Sequence, residues 1–158
     1  MPNKQLPNLQ EAHQHFAVTA NNEAWQLIEQ SDRDSHANDQ LIRAAHTSLY
    51  HWLQVGKGFH FQRGYWLLSH CYALVEQADQ AAFYAEKCLA LTKSEAVETF
   101  DRAYCYEALS RVAHLQGNAD DAHGYRQLAL DIADEIKYAE DKQIFMSDIN
   151  RAINLEAE

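Results

Sequence analysis

The sequence predicts an all-α protein, a stack of antiparallel helical hairpins, and three observations predict it. Helix breakers are scarce: 158 residues hold 5 glycines and 2 prolines, while apolar residues make up 47% of the chain. That composition disfavours a turn-rich β sandwich and favours helices joined by short connections. Apolar residues recur at helical spacing along nearly the whole chain. Residues 63–89 also match residues 104–130 at a constant offset, and internal repetition of this length marks stacked helical hairpins. The length suits one domain with a sizeable core.

The elements follow in order. Asn8, with Glu11 three residues later, reads as a capping pair opening a first helix. Phe16, Ala20, Ala24, Leu27 and Ile28 then share one face. The polar run SDRDSHAND (31–39) breaks it. A second helix carries Leu41, Ala45, Leu49 and Trp52 on one stripe and stops at GKG (56–58). Residues 8–55 form a divergent opening hairpin. The duplicated units occupy 59–92 and 98–137. Tyr65 matches Tyr106, Leu68 matches Leu109, Ser69 matches Ser110, Ala81 matches Ala122, Tyr84 matches Tyr125 and Leu89 matches Leu130. The turns EQAD (76–79) and GNAD (117–120) fall in the same register. A last helix (139–155) places Phe145, Ile149, Ala152 and Ile153 on one face and Asp141, Asp148 and Glu156 on the other. One wet face is what a helix ending a stack requires.

Within each unit the spacing resembles that of tetratricopeptide repeats. The first gives Ser69, Tyr72, Ala81 and Cys88, and the second Ser110, Ala113, Ala122 and Ala129. The repeat is longer than in that family, Ala113 stands where an aromatic is expected, and no proline closes either unit. With AAHTSLYHW, RGYW and FDRAYCYEAL, the chain is also similar to a group of small, uncharacterised bacterial helical-repeat proteins, a likeness that implies no activity. The tetratricopeptide resemblance implies a right-handed stack of about seven helices with a C-terminal capping helix. It also implies that the first helix of each hairpin lines a concave surface.

That implication singles out Arg63, Trp66 and His70, one stripe at i, i+3 and i+7. One repeat later the same positions are Tyr104, Glu107 and Arg111, with His114 extending the row. Two arginines beside a flat indole suit a carboxylate held in bidentate geometry. The partner expected on this basis is a peptide segment, acidic or C-terminal, bound by a non-enzymatic scaffold or adaptor. Beside it stands a structural reading, in which Arg63 pairs with Glu107 across adjacent helices and Trp66 is an interface residue. A small-molecule- or metal-dependent activity in the same strip, or a homodimer that uses it, are the alternatives.

Composition and motifs narrow the rest. A net charge of -10 repels phosphate backbones and speaks against nucleic acid. No apolar run has the length needed to cross a bilayer. The N-terminal sequence lacks the order of a secretory signal, so the expected compartment is the cytoplasm. Cys71, Cys88 and Cys105 have no metal-ligand spacing and read as reduced, structural thiols. His13 and His15, or His46 and His51, diverge by about 160° and 140° around a helix, so neither pair meets one ion from its own helix. A site across helices from His46, His70 and Glu107 stays open. GxSxG, HExxH and P-loop patterns do not occur. No catalytic residue, metal ligand or cofactor is therefore assigned.

Overall fold

The computed structural model describes the backbone from Asn8 to Glu156 and side chains as far as Arg151. Asn8 caps α1 (Leu9–Ile28) through its side-chain oxygen, which accepts from the Gln10 backbone N–H at 3.0 Å. Ala17, Ala20, Ala24 and Leu27 form the buried face. Phe16 does not join them. It is 51% exposed, with its ring 5.4 Å from that of His51, because Ala17 occupies the inward position. The polar run that ends α1 also starts α2 (Ser35–Val55), earlier than its composition suggests. Asp34 accepts from the Ala37 N–H at 2.8 Å and opens the helix inside that run. Arg33 donates to the carbonyls of Leu27 and Ile28 at 3.1 Å and so satisfies the end of α1.

Four helices make up the two repeats: α3 (Gly58–Leu74), α4 (Ala78–Ser94), α5 (Thr99–Leu115) and α6 (Ala119–Ala133). The duplication reappears in the bonding. Ser69 Oγ donates to the Ala81 carbonyl at 2.9 Å, and Ser110 Oγ to the Ala122 carbonyl at 2.7 Å. Each links the two helices of its hairpin at the same register. The turns match as well: Gln77 N–H donates to Tyr72 O, and Asn118 N–H to Ala113 O, both at 2.9 Å. This bond closes a helix through a residue in the left-handed region. Gly117 fills that place at φ 76°, and Glu76 fills it at φ 59° without glycine's freedom.

The last helix, α7 (Ala139–Glu156), packs on α5 and more lightly on α6. Phe145 and Ile149 are buried against those helices. Ala152, Ile153 and Glu156 lie outside the described side chains. The seven helices thus pack as consecutive hairpins, α1 with α2, α3 with α4, and α5 with α6, closed by α7. Three apolar clusters run along the stack. One joins α1, α2 and α3 through Leu27, Leu41, Leu49 and Leu68. The next joins α3, α4 and α5 through Ala73, Ala81, Ala85, Leu109 and Val112, and the third ties α7 to α5 and α6. Gly64 lets α3 lie close to α2, since a Cβ there would stand 2.8 Å from Leu49 Cδ1. All three cysteines are free and buried. No helix among the described residues is long and apolar enough to cross a membrane.

Candidate functional site

The first helices of the hairpins, α1, α3 and α5, share one side of the stack with α7, and a cleft of about 740 Å³ opens between them. Its floor is set by a buried polar joint. Gln62, 1% exposed, donates from Nε2 to Thr92 Oγ1 at 3.0 Å and to the Asp101 carbonyl at 3.2 Å, which locks α3, α4 and α5 together. Asp101, buried in the first turn of α5, takes both Arg63 donors. Nε lies 2.8 Å from Oδ1 and Nη2 lies 3.0 Å from Oδ2. This bidentate bond raises the Arg63 pKa against the opposing effect of burial, and Glu98 and Asp141 add to the raise. Arg63 is also held over the Phe59 ring at 5.3 Å.

Aromatic rings form one wall. Trp25 of α1 stacks on Trp66 of α3, with centroids 5.8 Å apart and planes 21° apart. His70 continues the stack behind Trp66 at 5.1 Å. Tyr104 meets Trp66 edge-on at 5.2 Å and is itself flanked by Phe100 and Phe145. Its hydroxyl donates to Asp148 Oδ2 of α7 at 2.5 Å. Burial, then that bond to a carboxylate, push the Tyr104 phenol well above its ordinary range, so it remains the donor at neutral pH.

The cleft thus gathers Arg63, Trp66 and Tyr104 of the residues expected to recognise a partner. His70 is not part of the lining and meets it through the rings of Trp66 and Trp25. Glu107 is buried and ion-paired with Arg111 four residues on, farther along α5, and His114 is exposed near the end of that helix. Two expectations change. Arg63 pairs with Asp101 rather than Glu107, because Glu107 lies six residues, about 9 Å, farther along the axis. Both arginines are already engaged, so they do not form a vacant clamp for an incoming carboxylate. Nor do Asp141 and Asp148 face away from the stack. They are half-buried and line the cleft, because 141, 144 and 148 run along the edge of the buried Phe145–Ile149 stripe.

Sequence reasoning missed Trp25, Glu98, Phe100, Asp101 and Tyr138 as parts of this site. Extending the α5 row back one turn from Tyr104 reaches Asp101. The same 41-residue offset carries Phe59 onto Phe100. Trp25 had no such signal, since the opening hairpin does not follow the repeat. His46 bonds to the Tyr72 hydroxyl at 2.9 Å, and His46, His70 and Glu107 do not converge. Among the described residues no three His, Cys, Asp or Glu side chains form a group able to hold a metal ion. In comparison with known proteins, no family model, no curated protein and no solved structure matches this chain.

Proposed function

We propose that the protein is a non-enzymatic interaction module whose concave cleft takes a peptide segment of a partner protein. The observation that carries this reading is the cleft itself, built jointly by four helices and walled by indole, phenyl and phenol rings beside carboxylates. Aromatic anchors with a few fixed polar groups are what recognition surfaces use. The resemblance of the repeats to tetratricopeptide units agrees with recognition on this side. A small-molecule ligand is the second reading, favoured by a volume within the ordinary range for such sites.

Site-specific photo-crosslinking tests the proposal. A photoreactive residue replaces Tyr138 at the cleft or, as control, Gln116 at the far end of the second repeat hairpin. The proposal expects the cleft probe alone to label one predominant partner segment in cell extract. A synthetic copy of that segment then binds saturably, and Trp25→Ala abolishes the binding. Equal labelling from both positions, or a synthetic segment indifferent to Trp25, defeats the proposal.

A further inference from the structure

Building on that reading, we infer that the segment is basic and that the cleft receives an arginine side chain. The charge of the lining comes first. Four carboxylates, Glu98, Asp101, Asp141 and Asp148, face one guanidinium, Arg63. Asp101 neutralises Arg63 through two hydrogen bonds, and Asp148 accepts from Tyr104. Glu98 and Asp141 have no ion pair or side-chain hydrogen bond among the described residues. Both lie close enough to act on Arg63, so they border the same space. An incoming anion would meet these two carboxylates with Arg63 already neutralised, and the further cation near Tyr104, Arg151, stands at the α7 edge beside Asp148. An incoming cation would find two vacant acceptors.

A second observation is independent of charge. The Gln62 side chain is almost wholly buried, and its Nε2 is satisfied by Thr92 and Asp101. Its carbonyl oxygen receives no donor among the described residues, although Gln62 lines the cleft. That oxygen is not fully buried, so it opens onto the cleft as an acceptor that a ligand's donor can reach. Trp66 carries the opposite deficit, with a buried Nε1–H that has no acceptor among the described residues. A ligand offering both charged N–H donors and neutral carbonyls meets both needs. A peptide with a basic side chain does so, whereas a polyamine lacks the carbonyl.

Arginine fits better than lysine on geometry. Trp25 is 37% exposed at the cleft and presents a flat indole, on which a planar guanidinium stacks. Its five donors, fixed in one plane, can reach two carboxylates and an amide oxygen together, whereas an ammonium offers three.

The test uses three blocked hexapeptides that differ only in a central pair, Arg-Arg, Lys-Lys or Glu-Glu, titrated into the full chain and followed by NMR. The expected result is saturable binding of the Arg-Arg peptide, at least tenfold tighter than Lys-Lys, with none for Glu-Glu. The indole N–H signals of Trp25 and Trp66 should shift. That of Trp52, stacked on His60 at 4.1 Å and outside the cleft lining, should not. Glu98→Gln with Asp141→Asn, at unchanged circular dichroism, should weaken the Arg-Arg peptide at least tenfold. Glu86→Gln with Asp120→Asn, on exposed outer positions, should leave it unchanged. Glu-Glu binding as tightly as Arg-Arg overturns the basic inference and leaves the segment-binding reading standing. Equal weakening by both double variants overturns it too, because the attraction would then be that of net charge. Absence of binding by all three peptides overturns the inference, and only the cross-linking experiment then decides the broader reading.

Discussion

Replacing Phe145 with alanine should free α7 from the stack without unfolding the hairpins. Phe145 is 0% exposed and Ile149 1%, and these are the two fully buried side chains described on an 18-residue helix. Truncating a buried phenylalanine costs about 3–5 kcal/mol. The burial of Ile149 that remains is worth about 1.5–3 kcal/mol. The hydrogen bonds from Tyr104 to Asp148 and from Arg126 to the Ile149 carbonyl add about 1 kcal/mol each. Holding a helix also costs about 1–2 kcal/mol of backbone entropy per ordered residue. Losing the larger anchor therefore tips the balance for α7, while α1 to α5 keep their own apolar clusters and α6 stays bonded to α5 through Ser110. Hydrogen exchange read by mass spectrometry should show peptides across 139–151 losing protection while α3 and α4 keep theirs. Protection of α7 equal to wild type would refute this, and so would simultaneous loss in every helix. With α7 free, Asp141 and Asp148 leave the cleft, so the variant should also lose the Arg-Arg peptide.

Three other outcomes follow from features of the fold. Glu76→Gly should stabilise the protein and Gly117→Ala destabilise it, each by about 1 kcal/mol in urea melts, since a left-handed conformation costs a non-glycine residue about that much; equal signs would contradict the shared turn. Ser69→Ala and Ser110→Ala should each cost about 1 kcal/mol, and in the double variant the two losses should add, because the bonds lie in separate hairpins. Acid should weaken the fold. Burial lowers the pKa of His46; burial and then His13 lower that of His51; burial and then Arg63 and Lys57 lower that of His60. The unfolded chain therefore takes up protons first, near pH 6.5. The stability these histidines contribute is complete above that value and is lost as pH falls through their lower folded values. The melting temperature should drop between pH 7.5 and 5.5, and less so in the triple His→Gln variant; an equal drop in both would refute the assignment.

The fold was largely legible because the repeat writes the same chemistry twice. Ser69 and Ser110, or the two turns, had to fall in register if their hydrogen bonds were to be the same. Helical periodicity placed Ala20, Ala24, Leu41 and Leu49 correctly, but it misplaced Phe16 by one residue at the edge of a stripe. The cleft was harder to read. Arg63 could be assigned to a face, but its partner depended on where α5 begins, and a shift of six residues decides between Asp101 and Glu107. Asp141 and Asp148 looked solvated because a helix edge and a helix back carry the same residues. Trp25 belongs to the one hairpin that does not repeat, so only packing reveals it.

The stacked indoles of Trp25 and Trp66 have an optical consequence. Two indoles this close, with planes 21° from parallel, couple their excited states in a skewed pair, so their ultraviolet circular dichroism should carry an exciton couplet that neither ring would give alone. One ring comes from α1 and the other from α3, so the couplet gauges how far the opening hairpin stands from the first repeat. Of the three tryptophans, Trp52 lies outside the pair and serves as the internal reference. The protein therefore reports on its own cleft without a label.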